Sequence, residues 1–335
     1  MEKNFVVIDA HNHFLPEAVA KKSTTADGKD FAQAFSGSRA HGWKRTLDLE
    51  NRVQLMDEAG VDMAVLEQSA SSPQGIGYCH EINDGYFKAI REYPNRFLPC
   101  VHVPLEGSPH ALEELDRAVN ELGFKGVSLV ASTQKVTLDS EGLFPLYERI
   151  SELDLPIFIH PSTREPIWGG DRYAMSCHVS REYDVAKCVN EVMHGVLNRF
   201  PDLKFVMPHH GGGIPNQKGR MMAWFEPEGW NIPEEIRGLP KTPRELKQLG
   251  LDEAFSGLFD KLYFDLAGFG GWMPITESAV KVIRPDRLCF GTDFPFEIHE
   301  AQDVKAFIEG IKQLAISEKD KRNILGENVK RLFKI

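Results

Sequence analysis

The sequence predicts an α/β protein built as a (β/α)8 TIM barrel. Three observations favour this fold class. Short apolar runs recur eight times along the 335 residues, helical patterns separate many of them, and polar side chains follow several runs at the same end. The runs are continuous rather than alternating, which is typical of parallel strands covered on both faces.

The eight predicted strands are distributed along the whole chain. Most span four to six residues and are rich in Val, Ile, Leu and Phe. In order they are Phe5–Asp9, Val61–Leu66, Phe97–Val103, Gly126–Val130, Pro156–His160, Lys204–Pro208, Leu262–Asp265 and Leu288–Gly291.

Helical patterns fill several of the connections between these runs. Before the fourth strand, Ser108 is a predicted N-cap, Pro109 takes the first helical position and Gly123 ends the pattern. Its apolar stripe consists of Leu112, Leu115, Val119 and Leu122. Comparable patterns precede the second, third and fifth strands, at residues 49–60, 81–94 and 141–156.

Three long irregular stretches, residues 14–46, 161–182 and 211–260, each follow a predicted strand. They are therefore expected at the C-terminal mouth of the barrel, where such enzymes carry their sites. A doubly wound open sheet is the structural alternative, but it would carry a Gly-rich phosphate turn after an early strand, and none occurs. No linker or repeat is found, so residues 1–335 are predicted to form one domain with loop insertions at the C-terminal face.

Composition argues against several classes of protein. Hydrophobic residues make up 42% and charged residues 26%, which is ordinary for a globular protein. A net charge of −10 without a dense Lys/Arg run argues against a nucleic-acid partner. No apolar stretch is long enough to span a membrane, and the N-terminal segment lacks signal-peptide features. Five dispersed cysteines without a C-x-x-C motif indicate a reducing compartment, so we expect a cytoplasmic protein.

Polar residues at the strand ends predict a metal site. The first strand leads into His11 and His13, whose i, i+2 spacing in an extended chain places both side chains on one face. His160 ends the fifth strand, the pair His209 and His210 follows the sixth, and Asp293 follows the eighth. Convergent imidazoles and a carboxylate are the ligands that a catalytic divalent ion requires.

With these residues in place, the chain resembles the amidohydrolase superfamily. The resemblance is to the decarboxylase-rich branch typified by aminocarboxymuconate semialdehyde decarboxylase and γ-resorcylate decarboxylase, and it covers essentially the whole chain. The motifs that carry it are "MDEAGVDMAVL" (56–66), "YPNRF" (93–97), "LGFKGVSL" (122–129), "LFPLYE" (143–148), "IFIHPS" (157–162), "RFPDLKFVMPHHGGGIP" (199–215) and "FGTDFPF" (290–296).

The resemblance implies roles for individual residues. The metal ligands match His11, His13, His160 and Asp293. The catalytic histidine of the branch precedes a Gly-rich turn with a proline six residues later, and this spacing selects His209 rather than His210. Arg220 matches a basic residue that reaches the substrate carboxylate of a neighbouring subunit, which implies at least a homodimer. Phe296 matches an aromatic residue beside the substrate.

The chain also departs from the branch. His210 stands where relatives have Gly or Met, and a loop or supporting role is expected for it. The substrate-binding arginine of the first loop falls near Trp43, with Lys44 and Arg45 beside it, and the sequence does not choose among them. His178, in the loop after the fifth strand, is a candidate to line the pocket.

The leading hypothesis for function is nonoxidative decarboxylation of a small aromatic or unsaturated carboxylic acid, with Asp293 or His209 as the proton donor. A metal-dependent hydrolase of a lactone, amide or C–C bond, or a hydratase, is the alternative, since the same ligands serve all of these reactions. A catalytically silent binding protein would have lost a ligand, and none is lost. The cofactor is predicted to be one divalent ion, Zn2+ first and Mn2+ as the alternative.

Overall fold

In the computed structural model, residues 5–20, 45–67, 75–133, 136–161, 173, 175, 178–225 and 253–335 are described. The strands within them are β1 (Ile8–His13), β2 (Met63–Glu67), β3 (Phe97–His102), β4 (Gly126–Val130), β5 (Pro156–His160), β6 (Lys204–Met207), β7 (Tyr263–Asp265) and β8 (Leu288–Cys289). They form one parallel sheet in the order β1 to β8, as expected for successive right-handed crossovers.

The barrel closes where the segment after β8 runs beside β1. The Ala10 amide donates to the Phe290 carbonyl over 2.8 Å, and the His13 amide donates to the Phe294 carbonyl over 2.9 Å. Eight parallel strands joined in this way confirm the predicted (β/α)8 barrel. Each predicted run overlaps a strand, but β1 spans Ile8–His13 instead of Phe5–Asp9, and β2 continues to Glu67 instead of ending at Leu66. Both predicted histidine ligands therefore lie within the strand, and its register shifts between Asp9 and Asn12.

Twelve right-handed helices are found within the described residues, while His209–Gly213 forms a left-handed turn. They are α1 (Glu17–Ala20), α2 (Leu49–Ala59), α3 (Ile76–Glu92), α4 (Pro109–Asn120), α5 (Phe144–Glu152), α6 (Val179–Glu191), α7 (Lys218–Phe225), α8 (Phe255–Phe259), α9 (Met273–Val282), α10 (Ala301–Gln313), α11 (Glu318–Arg322) and α12 (Asn328–Phe333). Single π-turns extend α6 and join α11 to α12, and short 3-10 turns span Glu141–Leu143, Ile214–Asn216 and Pro285–Arg287. None of these helices has the length and hydropathy needed to cross a membrane.

The predicted helix signals appear in the structure. Ser108 caps α4 by accepting a hydrogen bond from the Ala111 amide, with Pro109 in the first turn. Gly60 ends α2 in the left-handed conformation, with φ of 82°. Leu115 of the predicted stripe is fully buried, so the apolar face of α4 packs onto the barrel.

The barrel interior is filled and its N-terminal end is closed. The inward side chains Ile8, Ala10, Val65, Cys100, Phe158, Val206 and Cys289 form one buried cluster with Val329, Leu332 and Phe333 of α12. A second, larger cluster packs the outer faces of the strands against the surrounding helices. α12 closes the N-terminal end of the barrel. The buried polar residues lie at the C-terminal end, where the strands finish.

Candidate metal centre

Four predicted ligands meet at the C-terminal end of the barrel. His11 and His13 of β1, His160 at the end of β5 and Asp293 after β8 each place one donor atom within 4.8 Å of the others. All four side chains are buried. We call these four residues the metal centre; they come from strands far apart in sequence, because parallel strands of a barrel end on one rim.

The ring orientation of each histidine is set by a hydrogen bond from Nδ1. The partners are Asp265 Oδ2 for His11 at 2.9 Å, the Glu67 carbonyl for His13 at 3.4 Å and the Pro161 carbonyl for His160 at 2.9 Å. Carbonyl and carboxylate oxygens accept hydrogen bonds, so each Nδ1 carries the proton and each Nε2 has a lone pair. Such partners are the usual outer support of metal-binding histidines.

The atoms left without hydrogen bonds fit a divalent cation. Among the described residues, His11 Nε2, Asp293 Oδ2, His209 Nε2 and both oxygens of Glu67 are buried without a hydrogen-bond partner. All of these groups can supply a lone pair, and burying several such groups without a cation or proton is costly. Three imidazoles and a carboxylate match the donor set of a catalytic divalent site.

Proton affinities in the centre are strongly perturbed. Burial by itself would lower the pKa of His11, but the carboxylates of Glu67 and Asp265 outweigh it and raise this pKa. Without a metal, a proton on His11 therefore takes part of the cation's place, and metal binding would release it.

The other ligands are held in the unprotonated form. Burial lowers the pKa of His13 to about 4 and, together with the charges of His13 and His11, lowers that of His160 well below its ordinary value. Burial would raise the pKa of Asp293, but the close contact with the His13 ring and the charges of His11 and Arg181 hold it well below its usual range. Neutral imidazoles and an ionised carboxylate are the forms that bind metals.

His209 lies beside the centre in a left-handed turn. Its Nε2 is 3.7 Å from Asp293 Oδ2, and its Nδ1 is 2.9 Å from Glu182 Oε1. Residues 209–213 all have positive φ, from 51° to 80°. Two glycines make room for the turn: a Cβ on Gly212 would lie 2.2 Å from the Glu182 carbonyl, and one on Gly268 would lie 2.4 Å from the His209 ring.

His210 points elsewhere. It is buried, burial lowers its pKa to about 4, and its ring packs edge-on against Phe269 with centroids 5.2 Å apart. His210 is not among the residues whose donor atoms converge at the metal centre. Within this turn the two neighbouring side chains point in different directions, His209 to the centre and His210 to Phe269.

The predicted substrate-binding residues have different positions. Phe296 lies at the centre, with its ring centroid 5.4 Å from that of His13. Arg220 is exposed on α7 and forms no ion pair within the described part of the chain. His178 is exposed at the start of α6, with Nε2 3.2 Å from the Tyr173 carbonyl, so this chain does not bring it to the metal centre.

Of the three first-loop candidates, only Arg45 is within the described residues. Its guanidinium bonds the His299 carbonyl and lies 3.0 Å from Glu300 Oε1, so it is engaged with the segment before α10. Trp43 and Lys44 lie outside the described residues.

The sequence reasoning missed four charged residues at the centre. Asp265 ends β7, and its second oxygen accepts from the His209 amide at 2.9 Å. Glu67 ends β2, with Oε1 3.1 Å from His11 Nε2. Both follow apolar runs, so the strand-end rule that found His160 would also have found them. Arg181 and Glu182 begin α6, and Arg181 Nη2 lies 3.6 Å from Asp293 Oδ2; no local signal marks these two.

Comparison with known proteins agrees with this fold. Residues 8–335 match the family described as Amidohydrolase. γ-Resorcylate decarboxylase of Polaromonas sp. is 25% identical, with 96% of this chain and 98% of that protein covered. 2-Amino-3-carboxymuconate-6-semialdehyde decarboxylase of Dictyostelium discoideum is 26% identical (96% and 89%), and 2-keto-4-carboxy-3-hexenedioate hydratase of Sphingobium sp. is 26% identical (98% and 96%).

Solved structures share the barrel. 5-Carboxyvanillate decarboxylase from Sphingomonas paucimobilis superposes with a TM-score of 0.80 at 22% identity, with 99% of each chain covered. Dihydroxybenzoic acid decarboxylase from Polaromonas sp., solved with bound manganese, gives a TM-score of 0.77 at 23% identity, with 98% of this chain and 97% of that chain covered. The match to the family over residues 8–335 shows that this chain belongs to the amidohydrolase family.

Proposed function

We propose that this protein is a divalent-metal-dependent nonoxidative decarboxylase of a small aromatic or unsaturated carboxylic acid. The observation that carries the proposal is the buried metal centre with the His209–Glu182 pair directly beside it. Relatives that align over nearly the whole chain are named as decarboxylases of γ-resorcylate and of an aminocarboxymuconate semialdehyde. Fold alone would not support a choice of reaction.

We infer that His11, His13, His160 and Asp293 hold the cofactor, one divalent ion. Zn2+ suits the three imidazoles, and the related dihydroxybenzoic acid decarboxylase was solved with manganese. Bound there, a divalent ion supplies Lewis-acid polarisation of a substrate oxygen.

The side chains of the protein then transfer one proton to the substrate. We assign proton delivery to His209 or Asp293; because His209 Nε2 and Asp293 Oδ2 lie 3.7 Å apart, a proton can pass between them. The proton adds to the carbon that bears the carboxylate, and a π electron pair of the conjugated substrate forms the new C–H bond. The bond to the carboxylate then breaks, and its electron pair restores the π bond as CO2 leaves. Glu182 orients His209 throughout by holding its Nδ1–H.

Substrate recognition is assigned to residues around this pair. Phe296 beside His13 offers an aromatic face to a planar ring. Arg181, largely buried near Asp293, is the cation that this chain itself supplies for recognition of an acidic substrate. We retain Arg220 as a carboxylate clamp for a neighbouring subunit, which requires a homodimer or higher homo-oligomer, and His178 as a pocket residue in such an assembly. From the dispersed cysteines we also infer a cytoplasmic location.

A hydratase is the second candidate, because a relative that aligns with 98% of this chain is named as a hydratase of an unsaturated keto acid. The same metal centre could activate water for addition to a double bond or for hydrolysis.

A substrate screen separates these reactions. Purified protein loaded with Zn2+ or Mn2+ would be incubated with hydroxybenzoates, muconate semialdehydes and unsaturated keto acids, with CO2 and products measured. Metal-dependent CO2 release supports the decarboxylase, whereas product that is heavier than substrate by one water, without CO2, would identify a hydratase.

A further inference from the structure

Glu67 occupies a position that the centre described above does not explain. It ends β2 directly opposite His13 in the parallel pairing of β1 with β2, so both side chains point to the same side of the sheet. The Glu67 side chain is only 1% exposed. Neither of its carboxylate oxygens has a hydrogen-bond partner among the described residues.

The carboxylate instead faces a nitrogen of the metal centre. Glu67 Oε1 lies 3.1 Å from His11 Nε2, and the opposite ring nitrogen of His11 uses its proton on Asp265. When His11 Nε2 carries no proton, two acceptor atoms face each other in the protein interior, and their geometry does not make a hydrogen bond. Such a contact is stable only if a cation or an additional proton is shared between the two groups.

The spacing matches two ligands of one ion. Donor atoms that lie about 2.1 Å from the same divalent ion are roughly 3 Å apart when they occupy neighbouring coordination positions. The 3.1 Å between Glu67 and His11 has this value, as does the 2.9 Å between His13 Nε2 and Asp293 Oδ1. Glu67 is not one of the four residues whose donor atoms all lie within 4.8 Å of one another, so its carboxylate would reach the ion by turning further towards it.

We propose that the Glu67 carboxylate is a fifth protein ligand of the divalent ion at the metal centre. This inference rests on the metal centre proposed above and adds a second carboxylate to it. Three imidazoles and two carboxylates exceed the three protein ligands usual for catalytic zinc. Carboxylates and higher coordination numbers suit Mn2+, so Glu67 shifts the preference of the site towards Mn2+ relative to Zn2+.

Metal binding by purified chains tests this assignment directly. Metal-free wild type, Glu67→Gln and Glu67→Asp would be titrated with Mn2+, with free Mn2+ followed by electron paramagnetic resonance, and with Zn2+ in competition with a chromophoric chelator. Glu114→Gln is the matched control, because Glu114 is a buried carboxylate of α4 whose oxygens contact Asn83 and Arg117 instead. Thermal melts would establish that each variant is folded.

We expect wild type to bind one Mn2+ and Glu67→Gln to bind it at least tenfold more weakly, with a smaller loss for Zn2+. Glu67→Asp keeps the charge, but its side chain is one methylene shorter, so it should also weaken Mn2+ binding. This variant serves as the test if Glu67→Gln does not fold. Folded Glu67 variants with wild-type affinity for both ions would overturn the assignment while leaving the metal centre intact. A wild-type chain that binds neither ion would overturn the centre and this assignment together.

Discussion

His209 is held between two carboxylates: its Nδ1 lies 2.9 Å from Glu182 Oε1, and its Nε2 lies 3.7 Å from Asp293 Oδ2. The first contact fixes the tautomer, since a carboxylate accepts the Nδ1 proton and leaves Nε2 to face the metal centre. A histidine oriented in this way can exchange a proton with a substrate at the centre, and Glu182 acts only through it.

Glu182→Gln should therefore lower kcat by about 10- to 100-fold while KM changes little, because the amide is a weaker acceptor for the Nδ1 proton. Steady-state kinetics on the substrate identified by the screen would measure both values. Glu191→Gln is the control on the same helix: Glu191 contacts Lys187 at 2.7 Å and does not touch His209. Equal losses in the two variants would indicate a general effect on α6 and contradict the positioning role of Glu182.

Asp293→Asn should reduce turnover by at least about 1,000-fold and leave the barrel folded. The substitution removes a negative charge from the metal centre and also removes one of the two candidate proton donors. Circular dichroism and a thermal melt would verify the fold, and CO2 release would measure the activity. Activity near the wild-type level would show that Asp293 is neither a required ligand nor a catalytic group.

The metal content of the purified protein tests the centre directly. We expect about one Zn2+ or Mn2+ per chain in tag-free protein as purified, and its loss from a His11→Ala/His13→Ala double variant, because both Nε2 atoms converge at the centre. Elemental analysis by mass spectrometry would measure the content. His80→Ala/His110→Ala removes two partly or fully exposed histidines and should keep the ion. A wild-type chain that neither carries nor takes up either ion would be incompatible with the proposed chemistry.

Features that depend on a local sequence pattern could be predicted from the sequence. Each apolar run became a strand because a parallel strand covered on both faces must be continuously hydrophobic. His11, His13, His160 and Asp293 could be found because the ends of parallel strands share one rim, so position along the chain predicts position in space.

Residues placed by long-range packing could not be found in the same way. Glu182 begins a polar helix, and its contact with His209 depends on the left-handed turn at 209–213 and on the close approach allowed by Gly212. Periodicity carries no information about either feature. Glu67 and Asp265 are different, since both follow strand runs; they would have been predicted if the rule had been applied to every strand.

Asp9 holds β1 and the segment after β8 together next to the metal centre, and its loss should destabilise the barrel. Its carboxylate accepts hydrogen bonds from the His11 and Thr292 amides, the Thr292 hydroxyl and the Asn12 side chain, tying β1 to the segment after β8. Each buried donor left unsatisfied costs about 1–3 kcal/mol, so Asp9→Ala, which removes the acceptor of four donors, should lower the free energy of unfolding by at least about 4 kcal/mol. Denaturant unfolding would measure it. Thr292→Val removes one of these donors and also the acceptor of the Phe294 amide, so it should cost about 1–3 kcal/mol; a cost equal to that of Asp9→Ala would contradict this account.

His102 should make the fold sensitive to acid. It is 7% exposed at the end of β3, its Nδ1 has no hydrogen-bond partner among the described residues, and burial lowers its pKa from 6.5 to about 4. Between these values the unfolded chain binds the proton and the folded chain does not, so stability falls as pH drops from about 6.5 towards 4. At about 1.4 kcal/mol per pKa unit, the full loss is roughly 3 kcal/mol.

The measurement compares wild type with His102→Gln by denaturant unfolding from pH 7 to pH 4, in the presence of a chelator. Glutamine does not titrate in this range, so the variant should lose less stability than wild type as the pH falls. Any fixed packing cost of the substitution shifts the whole curve and leaves its slope unchanged. The remaining buried histidines titrate in both proteins and cancel in the difference. Parallel curves would mean that His102 does not stay neutral in the folded chain, because only a group with different proton affinities in the two states changes the slope.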